Sequence, residues 1–335
     1  MKSKYRNIFF VFGLVAIGLM LWKFDPDYGE LWRNIKSAGY WFPAVIVLWA
    51  VIYLMNALSW FCIINDGENR SKVSFWKVYK FTVTGFALNY TTPVGLMGGE
   101  PYRIMELSPY VGTAKATSSV ILYVMMHIFS HFWFWLFSLL LFVFMYSEKV
   151  NALALSVLIP VAVLCLVVIY LFMKGYRNGF AKKGLNLLTH VPFIRNWAKR
   201  FVVEMRESIE KVDRQIAELH KQRKATFYLS LSLEFLSRIV GCLEIFFILK
   251  MMTPHVNFWD CILIQAFSSL FANAFFFSPM QLGAREGGLA IITSTLSLKS
   301  GFGVTTGLIT RVRELIWIAI GLGIMKIGNG KSNKK

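Results

Sequence analysis

The chain of 335 residues is 56% hydrophobic and 16% aromatic, and only 16% of its residues carry charge. With a mean hydropathy of +0.54, it excludes a soluble globular domain, whose surface so few polar residues could not cover. The formal net charge of +18 is concentrated between apolar runs, as the positive-inside rule and an anionic inner leaflet produce, and no zinc-finger or RNA-binding pattern accompanies it, so no nucleic-acid partner is expected.

An all-α integral membrane protein follows, because several apolar runs reach the roughly 20 residues that span about 30 Å of hydrocarbon. Full spans are expected at 8–24, 41–64, 116–146, 151–173, 225–252 and 304–327. The first opens with MKSKYRN and ends in Trp22-Lys23-Phe24 without a small-x-small cleavage site, so it reads as a retained span rather than a signal peptide. Two further stretches, 75–107 and 258–298, are apolar but broken near their middles.

Orientation comes from Lys and Arg. Basic clusters lie at Lys2, Lys4 and Arg6, along 174–224, and at Lys326, Lys331, Lys334 and Lys335. All three face the cytoplasm only if an even number of crossings separates each from the next, which requires that neither broken stretch crosses. The expected architecture is therefore a single domain over 1–335, with six transmembrane helices and two re-entrant broken-helix hairpins arranged as an inverted repeat. Both termini would be cytoplasmic, in a bacterial inner membrane.

Within 174–224, Phe201, Met205, Ile209, Val212, Ile216 and Leu219 recur at helical steps. A basic amphipathic helix lying on anionic inner-leaflet lipid is expected there. Docking of a cytoplasmic lipid-modifying enzyme or glycosyltransferase is the alternative.

The two broken stretches match each other. The first starts Phe75-Trp76 and breaks at Pro93; the second starts Phe258-Trp259 and breaks at Pro279. Each has a glutamate seven residues after its proline, Glu100 and Glu286, and a nearby arginine, Arg103 and Arg285. Glycines fill the intervals: Gly95, Gly98 and Gly99 in one, Gly283 in the other. Broken helix at membrane depth survives only inside protein or beside a water-filled cavity. Pro101 is expected as the first residue of a restarted helix, whose free N–H groups would face an anionic head group. Paired discontinuous helices of this kind build the sites of many transporters.

Other charges lie in apolar surroundings: Glu234, Arg238 and Glu244 in 225–252, and Arg311, Arg313 and Glu314 in 304–327. Charges this costly to bury mark functional sites. Arg311 and Arg313 point to different sides of a helix, so that one could pair with Glu314, and Arg311 or Arg313 is a candidate to line the cavity; Glu234 and Arg238, at i,i+4, read equally as an ion pair or as functional. His127 and His131 share a helix face, yet no HExxH pattern surrounds them. Cavity lining or polar packing is expected there, not zinc. Cys62, Cys165, Cys242 and Cys261 are isolated in apolar runs, so neither a metal nor a cofactor is expected.

Two motifs carry a likeness: Asn89 through Leu107 (N-x3-P…GGE-x2-R-x3-L) and Pro279 through Leu289 (P…LGAREGGL). With the hydropathy of the whole chain, they resemble the lysylphosphatidylglycerol synthase transmembrane family, a flippase-like domain family. Met280-Gln281 stands where the family often has another glycine. The soluble aminoacyl-transferase domain of full-length synthases has no counterpart, so the resemblance implies a transporter rather than lysyl-lipid synthesis.

The expected function is a lipid flippase or scramblase for an amphiphile with a charged head. That head would belong to a phospholipid, an aminoacyl-phospholipid or a polyprenyl-phosphate-linked saccharide. Its site would use Asn89, Pro93, Gly98, Gly99, Glu100 and Arg103 from the first motif, and Pro279, Gly283, Arg285 and Glu286 from the second. Arg311, Arg313 and Glu314 would complete it. Phosphate would be held by Arg103, Arg285 and one of Arg311 and Arg313. The glutamates would cap helix restarts, neutralise arginines or carry coupling protons. No catalytic residue is assigned, and no GxxxxGK[ST] motif is present to drive transport. Alternatives are a membrane-embedded head-group transferase and a non-catalytic scaffold acting through 174–224.

Overall fold

The computed structural model describes residues 36, 39–66, 71–91, 98–178, 224–274, 284–296, 298 and 302–326. The span expected at 8–24, the breaks at Pro93 and Pro279, and most of the basic segment 174–224 lie outside the described residues. Among those described there are nine α-helices and no strand: α1 (Trp41–Ile64), α2 (Phe75–Thr91), α3 (Gly99–Val111), α4 (Thr113–Met145), α5 (Ala152–Asn178), α6 (Lys224–Met252), α7 (Phe258–Ala274), α8 (Ala284–Thr295) and α9 (Phe302–Lys326).

Three of them are long and apolar enough to cross a membrane: α1, α4 and residues Ala154–Lys174 of α5. Their outward faces explain why. α1 turns Val47, Val51, Leu54 and Leu58 outward, and α5 exposes Val157, Ile159, Val163, Leu164 and Val167. In water such continuous apolar faces would drive association; in hydrocarbon they are the natural surface. Helices α6 and α9, with 29 and 25 residues, also have spanning length, but they carry charged residues at mid-length. Glu234, Glu244, Arg311, Arg313 and Glu314 are all buried inside the protein, where ion pairs offset part of the desolvation cost.

Two large apolar cores flank the centre. One gathers Trp60, Val78, Phe81, Leu107, Tyr123 and Phe129 around α2 and α3. The other gathers Ile245, Cys261, Ile264, Leu289, Ile292 and Phe302 around α7 and α8. Each core thus grips one pair of consecutive helices.

Those pairs sit at opposite ends of α4. The open end of the α2–α3 pair, tied by Lys77 Nζ donating to Tyr110 Oη at 2.9 Å, leads through Gly112 into the N-terminus of α4. Gly112 adopts φ 80°, a conformation open to glycine at little cost, and there the chain turns between the two helices. The open end of the α7–α8 pair is bonded to the other end of α4. Tyr146 Oη donates to Asp260 Oδ1 at 2.6 Å, and Lys149 Nζ to the Thr295 carbonyl at 3.0 Å. With 33 residues, α4 is about 50 Å long, a length comparable with the thickness of a bilayer.

The first pair restarts two residues earlier than the proline rule suggested. Helix α3 begins at Gly99 with Gly98 as its N-cap, which places Pro101 third in the helix. The first four N–H groups of a helix have no intrahelical partner, so a proline is tolerated anywhere in this turn, and position one held no special advantage. Helix α3 also continues past the expected boundary at 107 to Val111.

Candidate functional site

A cavity of about 330 Å³ lies between the two helix pairs. Its walls are stripes at helical spacing: Gln265, Ser268, Ser269 and Asn273 from α7, and Tyr123, His127 and His131 from α4. Helix α6 adds Ser237 and Arg238, and α1 adds Trp49 and Asn56. The first pair contributes Asn89, Glu100 and Arg103, and α8 contributes Arg285. Three arginines against one glutamate make this described lining basic.

The first motif is held together by Asn89. Its Oδ1 accepts the Gly99 N–H at 2.7 Å, and its Nδ2 donates to Glu100 Oε1 at 2.9 Å. One side chain on α2 therefore caps α3 and fixes the first carboxylate of that helix. The expected gap for an anion at this helix end is accordingly occupied: one free N–H is already used, and Glu100 supplies the negative charge that the helix dipole favours.

Glu100 in turn pairs with Arg103 Nη1 at 3.1 Å. The Arg103 guanidinium lies 4.8 Å from the centre of the Phe86 ring and 5.3 Å from that of Tyr123, where the ring faces attract it. Glycine makes the arrangement fit. A β-carbon on Gly99 would collide with the Gly85 carbonyl, and one on Gly85 would collide with Arg103 Nε. Arg103 is 1% exposed, so its charge reaches the cavity from a boxed position.

The second motif is anchored differently. Arg285 Nη1 donates to Glu314 Oε1, and Arg311 Nη1 donates to Glu314 Oε2 at 2.9 Å. Arg313 forms a two-pronged bond to Glu244, at 2.8 and 3.1 Å, with its guanidinium 3.7 Å from the centre of the Trp49 ring. Neither Arg311 nor Arg313 is among the described residues that line this cavity. Both are consumed by glutamates within the protein, and Arg285 alone of this group reaches the lining. Of the pair, Arg311 takes Glu314 closely, while Arg313 lies 3.8 Å from it.

Glu234 and Arg238 also take partners outside their own helix. Glu234 Oε2 bonds His127 Nδ1 at 2.8 Å. Arg238 donates to Ser130 Oγ at 2.7 Å and to the His127 carbonyl. No group of three or more metal-ligating side chains occurs among the described residues.

Of the expected site residues, Asn89, Glu100, Arg103 and Arg285 meet at the cavity. Gly98 and Gly99 support it from the start of α3. Glu314 lies behind it, bonded to Arg285. Pro93, Pro279 and Gly283 and the side chain of Glu286 lie outside the described residues. The site list drawn from the motifs omitted Arg238, Asn56, Gln265 and Asn273. For two of these the signal is present in the sequence: Gln265, Ser268, Ser269 and Asn273 form a polar stripe at three- and four-residue steps in an apolar run.

The family model for the lysylphosphatidylglycerol synthase TM region matches residues 8–323, nearly the whole chain. Comparisons with curated proteins and with solved structures found no match.

Proposed function

The chain belongs to the lysylphosphatidylglycerol synthase TM region family and is an integral membrane protein, and from that premise we propose that it moves a lipid with a charged head across the bilayer, as a flippase or scramblase. The observation that carries this reading is the basic cavity between the two helix pairs. Its volume of about 330 Å³ suits a polar head group, and Arg238 and Arg285 are its phosphate-binding residues. Arg103 adds positive potential from behind the Phe86 and Tyr123 rings. The acyl chains stay in the bilayer while the head passes through.

In this reading the two helix pairs are re-entrant hairpins of an inverted repeat, completed by six spans. Their attachment to opposite ends of α4 supports that arrangement, because hairpins rooted on opposite faces would meet near the midplane. Both termini and the basic segment 174–224 then face the cytoplasm of an inner membrane. That segment rests on anionic inner-leaflet lipid or receives a cytoplasmic lipid-modifying or glycosyltransferase partner.

The test is native mass spectrometry of the full chain released from micelles containing a defined mixture of anionic, zwitterionic and neutral lipids. Selective retention of phosphate-bearing lipid, lost in the Arg238→Gln/Arg285→Gln double variant, is expected. Identical retention by the double variant would remove the cavity from the account.

A further inference from the structure

One hydrogen-bonded pair on the cavity wall has been given no part in holding phosphate. His127, near the middle of α4, sets Nδ1 against the Glu234 carboxylate of α6 at 2.8 Å. The Glu234 side chain is 0% exposed, whereas that of His127 is 29% exposed and lines the cavity. With the carboxylate ionised, the hydrogen on Nδ1 lies in the bond to Glu234 and Nε2 keeps its lone pair. A buried carboxylate is thus joined to the cavity through the His127 imidazole.

The surroundings are charged on several sides. Arg238 on α6 grips the His127 carbonyl, and Arg103 and Glu100 on α3 and Arg285 on α8 share the cavity wall. On α4 itself, His131 packs edge-on with its ring centre 5.6 Å away, and Tyr123 lies one turn before. Helix α2 presents the uncharged Phe86 ring, 5.7 Å away.

Resting on the transport reading above, we propose that His127 and Glu234 form a proton-binding site whose occupation is coupled to that of the anionic head group. A hydronium ion in the cavity gives its proton to His127 Nε2 and leaves as water, while the Nδ1–H bond to Glu234 stays in place. Together with Arg238, the group then changes from neutral to one net positive charge. A phosphate in the same low-dielectric cavity gains from that charge, and by linkage the bound phosphate holds the proton more tightly by the same factor. A proton gradient then biases the direction of lipid movement without a nucleotide.

Glu100 is the competing proton acceptor, since its Oε2 is buried and has no hydrogen-bond partner. The experiment separates the two. Dihexanoyl phosphatidylglycerol, a soluble short-chain probe, is titrated calorimetrically into the full-length protein in micelles, in two buffers of different ionisation enthalpy. Wild-type protein is expected to take up part of a proton per lipid bound, with affinity falling roughly tenfold between about pH 6 and about pH 8. His127→Gln should bind more weakly and take up no proton, and Glu234→Gln should also abolish uptake. Glu100→Gln should retain it. Uptake that survives His127→Gln, uptake lost instead in Glu100→Gln, or wild-type binding without uptake would each overturn the proposal and leave the transport reading standing. Absence of binding in the wild type would overturn both.

Discussion

Asn89 on α2 bridges the gap in the first helix pair to Gly99, the first residue of α3, with its Oδ1 2.7 Å from the Gly99 nitrogen. The same side chain holds Glu100 through its Nδ2. One amide on α2 therefore ties the start of α3 to the preceding helix. Replacing Asn89 by Ala removes a cap and leaves a buried N–H unpaired, a loss of about 1–3 kcal/mol. Asn89→Ala should lower the apparent unfolding temperature in detergent, and Asn89→Asp should recover part of the loss because its carboxylate still accepts from Gly99. An unchanged temperature in Asn89→Ala would mean that the joint carries no stability.

The crossing of the two arms gives a second prediction. A β-carbon at residue 99 would meet the Gly85 carbonyl, which is backbone and has no room to rotate aside. Gly99→Ala should cost about 1–3 kcal/mol, as overpacking typically does. At residue 85 the obstacle is the end of the Arg103 side chain. Gly85→Ala should therefore cost less stability than Gly99→Ala while shifting Arg103 relative to Glu100, read as weaker head-group binding.

The two-pronged bond between Arg313 and Glu244 yields a third. Both side chains are 0% exposed. Removing one partner strands a buried charge, at about 3–5 kcal/mol. Arg313→Met and Glu244→Met should each destabilise severely, while the double variant should be much milder. A double-mutant cycle on thermal or denaturant unfolding checks this, and additive losses would show that the pair is not coupled.

Parts of this arrangement were legible in the residues and parts were not. The break between Asn89 and Glu100 announced itself through Gly98, Gly99 and Pro101, because few other residues suit a helix restart packed against a neighbouring backbone. The pairing of Glu100 with Arg103 follows from their spacing of three on one helix face. The fate of Arg311 and Arg313 could not be read that way. Two residues apart on a helix they point in different directions, and which direction meets Glu244, Glu314 or the cavity depends on how α9 is rotated among its neighbours. The same holds for Glu234: its helical neighbour Arg238 was visible at four residues, whereas His127, 107 positions away, is brought to it only by the packing of α4 on α6. The polar stripe on α7 was visible in outline, but amides and serines in an apolar run attract less notice than charges do.

Arg285 and Arg311 share Glu314, and only Arg285 lines the cavity. Arg285→Gln should weaken binding of an anionic head while leaving Glu314 paired with Arg311, so the protein stays folded. Glu314→Gln should instead destabilise the protein by about 3–5 kcal/mol through loss of the shared counter-charge. Parallel measurements of head-group affinity and unfolding temperature separate the two effects; equal losses of both in Arg285→Gln would make that arginine structural rather than ligand-binding.

The most direct test of the transport account is lipid translocation by the purified full chain in proteoliposomes. A trace of head-labelled phosphatidylglycerol is placed in both leaflets, and a membrane-impermeant reductant then quenches the outer label. Protein-free vesicles should lose about half of the signal. Vesicles holding wild-type protein should lose nearly all of it, and those holding the Arg238→Gln/Arg285→Gln double variant should lose little more than protein-free vesicles. Wild-type vesicles that behave like empty ones across anionic, zwitterionic and glycosylated lipid phosphates would contradict the account.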